Sequence, residues 1–214
     1  MTTNIVRLRY ANRHSQWAMM LVIAKNSRDD MVRAAIELLC ERGYAGTSFG
    51  DVIERSGAPR GSIYHHFPGG KQQLVTEAVQ RYTAGILRAL DHAAESGGAV
   101  DLVRVFVDVV RSGLRASDFR RGCAIAAVTL DATPADAALL ELTAESFRAW
   151  RSRIATAFRR DGATEARARR LATLVVAAVE GALILARAEH DIAPITDVGR
   201  ELENYLGRSL SDSR

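Results

Sequence analysis

Between Thr47 and Lys71 the chain gathers side chains suited to gripping a polyanion: Thr47, Arg60, Gly61, Ser62, Tyr64, His65 and Lys71. The planar fork of a guanidinium such as Arg60 can bond the edge of a guanine with two hydrogen bonds. Gly61 has no side chain, so its backbone can approach a base or sugar closely. Ser62, Tyr64 and His65 offer hydrogen bonds to phosphate oxygens, and Lys71 adds a further phosphate clamp. Thr47 stands at the start of a short helix and would turn its hydroxyl, with the free N–H groups of that helix, towards another phosphate.

Other chemistries find little support. His65 and His66 are adjacent, and neighbours on a helix point about 100° apart, so they do not share one metal ion. Two cysteines, Cys40 and Cys123, are too few for a disulfide framework and suit a reducing compartment. The sequence has no Ser/His/Asp order, glycine-rich phosphate loop or Cys-x-x-Cys. No enzymatic activity, cofactor or metal is therefore expected.

The elements that must hold the Thr47–Lys71 residues are helical. Ser27 with Asp30 reads as a capping-box start, and Val32, Ala35, Ile36, Leu39 and Cys40 form an amphipathic stripe that Gly43 ends. Thr47 is expected to cap a helix over Ser48–Arg55, closed by Ser56-Gly57. Ala58-Pro59 is expected to open a third helix to about His65, with proline where its missing N–H is harmless. Two short helices across a tight turn, packed on a preceding one, make a helix-turn-helix. Ile63 and Phe67 would hold its polar last helix onto Val32, Ile36 and Ile53.

Beyond it the pattern stays helical: a long helix to about Glu95, then Asp101–Arg115, Cys123–Leu130, Thr133–Asp161, Thr164–His190 and Thr196–Leu210. The expected fold is all-α, with about nine helices and no convincing strand. It divides into a basic, poorly ordered extension (1–26), the DNA-binding unit (27–75), a helical ligand-binding and dimerisation domain (76–210) and a tail (211–214).

Composition agrees with a soluble globular chain. Of 214 residues 48% are hydrophobic and 25% charged, which excludes disordered, collagen-like and multi-span membrane classes. The net charge of +4 is carried entirely by the N-terminal part: residues 1–85 hold 11 Lys/Arg against 7 Asp/Glu, and residues 86–214 hold 18 of each. Arg7, Arg9, Arg13 and Lys25 account for the whole excess. The apolar run Trp17–Ala24 behind three arginines has the order of a secretory leader, but its cleavage pattern is weak and it is too short to span a bilayer. A cytoplasmic protein is expected, whose basic arm could touch DNA phosphates or a minor groove.

The run Ala34-Ala35-Ile36-Glu37-Leu38-Leu39, Gly43-Tyr44, Thr47-Ser48, Gly61-Ser62-Ile63-Tyr64-His65-His66-Phe67-Pro68 and Lys71 resembles the N-terminal domain of TetR-family regulators. The resemblance runs without a gap from Ser27 to about Arg81. It implies a homodimeric, one-component repressor acting on a pseudo-palindromic double-stranded operator and released by a small hydrophobic ligand. It also implies DNA contacts at Thr47, Arg60, Gly61, Ser62, Tyr64, His65 and Lys71. Pro59 and Gly50 depart from the family pattern, each removing a polar side chain that relatives often carry there. They are the support for an alternative, a dimeric small-molecule binding or interaction protein with a vestigial DNA-binding domain.

In the C-terminal part, Phe106 and Val110, then Cys123, Ala127 and Leu130, then Phe147, Trp150 and Ile154 recur at inward spacings on three helices. They are the expected lining of an apolar ligand cavity, with Arg151, Thr129 and Glu180 as polar anchors. The stretch from Arg121 to Val128, with Glu180-Gly181-Ala182, resembles the C-terminal domain of the lincomycin-resistance and flavonoid-responsive branch, which implies a hydrophobic, often aromatic inducer. Leu171–Ala186 is apolar at almost every position. Its internal Glu180 and flanking arginines argue against a membrane span, so one face is expected on the core and the other on a partner subunit. With Thr196–Leu210 it would form a four-helix dimer interface.

Overall fold

The computed structural model describes residues 27–211, and every regular element among them is helical. Helix α1 (27–42) leads into α2 (Phe49–Ser56) and α3 (Ser62–His66). The 27-residue α4 (Gly70–Ser96) then joins this unit to α5 (Ala99–Ala116), α6 (Ala124–Asp131), α7 (Ala137–Arg160), α8 (Glu165–Glu189) and α9 (Ala193–Ser211). The basic extension, with Arg7, Arg9, Arg13, Lys25 and the Trp17–Ala24 run, lies outside the described residues, as does most of the expected tail.

Several boundaries differ from expectation. Ser27 already lies inside α1 and is buried, so it is not the cap. Thr133 and Asp136 do form the expected capping box, but Pro134–Asp136 is a single 3-10 turn and the α-helix starts at Ala137. Helix α9 begins at Ala193, because Pro194 is tolerated in a first turn, and it runs through Ser211. The third helix starts three residues after Pro59. The Pro59 carbonyl accepts the Ser62 N–H at 2.9 Å and the Ser62 hydroxyl at 2.6 Å, and this tight turn uses up the residues before the helix.

Helix α1 supplies Val32, Ala35, Leu38 and Leu39 to a small core closed by Val52 of α2, Ile63, Phe67 and Leu74, all buried. Ile63 and Phe67 thus face inward as the sequence pattern requires, with Ile36 and Ile53 packed at the edge. The larger core lies among α4, α5, α7, α8 and α9. Trp150 sits at its centre, its ring 5.9 Å from Phe106, 5.7 Å from Phe147 and 6.2 Å from Tyr82, and its indole N–H donates to the Thr83 carbonyl at 3.3 Å.

Helix α8 is long and apolar enough to cross a membrane by length and composition alone. Here it packs on α7 and α9, burying Leu171, Val175, Val179 and Leu183. Its opposite side stays open and apolar: Leu174, Ile184 and Leu185 are 43%, 61% and 52% exposed.

Candidate nucleic-acid interface

The helix-turn-helix is fixed by local bonds. The Ser48 hydroxyl accepts the Asp51 N–H at 3.2 Å, and the Asp51 carboxylate accepts the Ser48 N–H at 3.0 Å, a capping box that opens α2. The Ser48 hydroxyl and the Arg42 guanidinium also bond this carboxylate, and these contacts hold Asp51 below its ordinary range. Gly57 closes α2 at φ 68°, in the left-handed region that a glycine enters without strain.

The seven predicted residues separate into two groups. Arg60, Gly61, Tyr64 and His65 stand exposed on the outer face of the α3 segment, backed by buried Ile63 and Phe67. Tyr64 is 68% exposed and meets only the edge of Phe49, at 5.5 Å between ring centroids. Arg60 has no hydrogen-bond or acid partner among the described residues. Ser48, Phe49, Gly50 and Glu54 of α2 join Arg60 and Tyr64 around a shallow concavity between the two helices.

Thr47, Ser62 and Lys71 are held by the protein itself. Thr47 is buried, its hydroxyl donates to the Gly43 carbonyl at 2.7 Å and its N–H to Tyr44, so the cap role passes to the exposed Ser48. Ser62 gives its hydroxyl proton to Pro59. Lys71 donates to the Tyr44 carbonyl at 2.6 Å with its ammonium 4.3 Å from the centre of the Tyr44 ring. Burial lowers its pKa against the opposing pull of Asp131, Asp136 and Asp51. Lys71 is therefore a brace between α4 and the α1–α2 loop before it is anything else. Ser48 was missed in the sequence, although the acid three residues after Ser48, and not after Thr47, marks the true cap. His66 is half-buried, and burial, then His65 and Arg28, depress its pKa, which favours a neutral packing residue.

This unit is tied to the C-terminal domain at the end of α1. Gly122 N–H donates to the Cys40 carbonyl at 2.8 Å, Arg187 to the Glu41 carbonyl at 2.7 Å, and Ala45 N–H to the Asp131 carboxylate at 3.0 Å. Arg121 pairs with Glu37 at 2.8 Å, and Tyr44 O–H reaches Asp136 at 3.4 Å. Gly43 is required here: its φ is 76°, and a Cβ would stand 2.4 Å from the Asp131 carboxylate oxygen.

The side chains expected to line a ligand cavity fall in different places. Phe106, Trp150 and Ile154 are buried in the core, and Phe147 packs at its edge with its ring against the Trp150 indole. Arg151 lies outside, in a polar groove between α7 and α8 with Arg148, Arg159 and Arg169, and Thr129 spends its hydroxyl on the Ile125 carbonyl. Cys123, Ala127, Leu130 and Glu180 do line a common cleft of about 450 Å³, with Cys40, Leu183, Ile184 and Arg187. Val110 lines a smaller space of about 170 Å³ with Tyr82 and Ile86, and the two adjoin at Cys40, Gly122 and Leu183. Cys40 belongs to α1, so the DNA-binding unit forms one wall.

Inside this cleft Cys123 and Glu180 stand together, and Tyr82 lines the adjoining space. Burial raises Glu180 to about 7, the neighbouring Cys123 pulling the other way. Burial also pushes Cys40 up to about 12 and Cys123 well above the ordinary thiol range, so neither is a reactive thiolate. An acid with a folded pKa above its unfolded value loses stabilisation as pH rises between the two. Glu180→Gln is thus expected to leave stability unchanged near pH 4 and to raise it by about 1–3 kcal/mol at pH 8. Urea unfolding at both pH values checks this; equal effects at the two would contradict it.

Residues 31–78 match the family of bacterial regulatory proteins named tetR, and residues 99–201 match the C-terminal domain of LmrA/YxaF-like transcriptional regulators. An HTH-type transcriptional regulator of Mycobacterium tuberculosis, Rv0196, is 40% identical over 190 residues, covering 86% of this chain and 96% of its own length. The HTH-type transcriptional regulator LmrA of Bacillus subtilis is 28% identical, covering 86% and 98%. A regulatory protein TetR from Rhodobacter sphaeroides shares the fold, with a TM-score of 0.74 at 24% identity over 83% of this chain and 97% of that one. So does CifR, a TetR-family regulator solved with 26bp double-strand operator DNA, with a TM-score of 0.71 at 20% identity over 82% and 94%. With a complete helix-turn-helix, an LmrA/YxaF-like C-terminal domain and regulators as its relatives, the chain belongs to the TetR family of DNA-binding transcriptional regulators and is not an enzyme.

Proposed function

We propose that the protein is a cytoplasmic homodimeric repressor that leaves its operator when a small apolar effector enters the cleft beside Cys40, Cys123 and Glu180. The observation that carries the DNA side is the outer face of α3, where Tyr64 and His65 stand solvated on a helix whose other face is locked into the core, with Arg60 exposed in the turn that precedes it. Held by a dimer, two such helices enter successive major grooves of a pseudo-palindrome about one helical turn apart. Arg60 reads a base edge, Gly61 allows the close approach, and Tyr64, His65 and the exposed Ser48 at the α2 N-terminus bond phosphates. The dimer forms through the open apolar side of α8 together with α9.

The effector acts through the shared wall. A molecule wedged between Cys40 of α1 and the start of α6 loads the bond from Gly122 to the Cys40 carbonyl and the Arg187–Glu41 contact. Helix α1 then shifts, and the α3 spacing with it. Effector and DNA favour different states, so each weakens the other by a coupling that is typically about 1–3 kcal/mol.

Fluorescence anisotropy with operator variants tests the assignment. Arg60→Ala is expected to lose roughly 1–3 kcal/mol of operator affinity and to relax selectivity at one base pair. Lys71→Ala is expected to weaken all duplexes alike and also to lower the melting temperature, since its ammonium braces Tyr44. An Arg60→Ala protein that binds the operator as tightly and selectively as the wild type would overturn the reading.

A further inference from the structure

The cleft contains a carboxyl group, Glu180, that forms no ion pair among the described residues, although Arg187 lines the same cleft. Glu180 stands beside the buried Cys123. Cys40 on α1 contributes a buried neutral thiol. Of the two nearby guanidinium groups, Arg121 is paired with Glu37, and Arg187 is turned to the Glu41 carbonyl, a neutral partner that leaves its charge in place. Helix α5 offers Val109, Val110, Gly113 and Leu114 and no charge. A carboxylate accepts several hydrogen bonds, and one thiol is a weak donor. A carboxylate partly withdrawn from water without an ion-pair partner is costly, and a ligand that supplies a donor and a positive charge relieves that cost.

We propose that this cleft selects an apolar molecule carrying a protonated amine, with the ammonium received by the Glu180 carboxylate and the apolar body lying along Leu183, Ala126 and Ala127. The proposal rests on the cleft's being the effector site. A neutral ligand would gain only the apolar contacts and one hydrogen bond. An anionic one would be repelled once Glu180 ionises. Because burial lifts Glu180 to about 7, amine binding should strengthen as pH rises through neutrality, while the amine itself stays protonated.

The test uses the full chain and three probes that differ only in their head group: phenylbutylamine, phenylbutanol and phenylbutyrate, by isothermal titration calorimetry near pH 6 and pH 8. Two variants go with it, Glu180→Gln and Ala127→Trp, whose folding is checked by circular dichroism. Ala127 is only partly buried, so a tryptophan there fills the cleft without displacing a core side chain. The expected result at the higher pH is an amine bound about tenfold more tightly than the alcohol and the acid bound most weakly. That preference should shrink at the lower pH and vanish in Glu180→Gln, while Ala127→Trp weakens all three. Equal affinity for amine and alcohol, or a preference that survives Glu180→Gln, would overturn the head-group assignment and leave the cleft as an apolar effector site. Failure of all three probes to bind, or binding that Ala127→Trp leaves unchanged, would overturn the assignment of the cleft and the proposal together.

Discussion

Trp150→Ala is expected to cost about 3–5 kcal/mol, which for a chain of this size means a fall in melting temperature of roughly 6–20 °C. The indole is 1% exposed, packs against Phe106, Phe147 and Tyr82, and loses an N–H bond to Thr83 when removed. Its neighbours come from α4, α5 and α7, so the cavity left behind has rigid walls that cannot collapse together. Total stability is of the order of 5–15 kcal/mol, so this one change takes a large part of it. The experiment also separates two roles for the same residue. A tryptophan lining an open effector cavity would tolerate truncation with a small loss of stability and a large loss of ligand affinity. Thermal unfolding with little change would mean that the space around Trp150 is a cavity after all.

Leu185→Glu is expected to convert a dimer into a folded monomer and to weaken operator binding by about a hundredfold or more, because a second half-site bound in the same complex contributes that much through effective concentration. Leu185 is half exposed on the side of α8 that carries Leu174 and Ile184, away from the helix's buried face. A glutamate there is solvated in the monomer, and its effect on the fold should stay within about 0.5 kcal/mol. In a two-fold interface it meets its own symmetry mate or apolar side chains, and either costs several times more. Analytical ultracentrifugation gives the state of assembly, and circular dichroism shows that the monomer is folded. A variant that stays dimeric would place the interface on another surface.

What the sequence makes legible here is what repeats locally. The stripe of Val32, Ala35 and Leu39 specifies the buried face of α1, and Thr164 and His190 mark the two ends of α8, the latter at φ 52° in the left-handed C-cap. The exposed face of the α3 segment is legible for the same reason, since polar Arg60, Tyr64 and His65 alternate with apolar Ile63 and Phe67. What escapes is whatever depends on distant partners. Lys71 has the type and place of a phosphate clamp, but its ammonium is held by a carbonyl 27 residues away, at Tyr44, which no local pattern encodes. The Thr47 hydroxyl is a local case: Gly43, four residues back, takes it, and the neighbouring serine, with an acid three residues on, is the cap.

The ligand lining shows the same limit. Helical spacing tells which side chains point inward, and Phe106, Trp150 and Ile154 do. It does not tell whether inward side chains from three helices meet or leave a gap, which depends on helix separation. Trp150 closes one such space, while small residues (Cys123, Ala126, Ala127) leave another open beside Glu180. Cys40 was beyond reach of the pattern for a further reason: it lies on the DNA-binding side of the chain, and only the packing of α6 on the end of α1 makes it a wall of the cleft.

Sequence-selective DNA binding through α3 is the central claim, and anisotropy of the purified protein on the intergenic DNA upstream of its own gene tests it most directly. A scrambled duplex of the same length is the reference, at a low and a physiological salt concentration. The expected result is binding at least about a thousandfold tighter to the upstream DNA than to the scrambled duplex at physiological salt, with both affinities falling as salt rises. Equal affinity for the two duplexes, extended to a selection from fragmented genomic DNA that enriches no site, would contradict it.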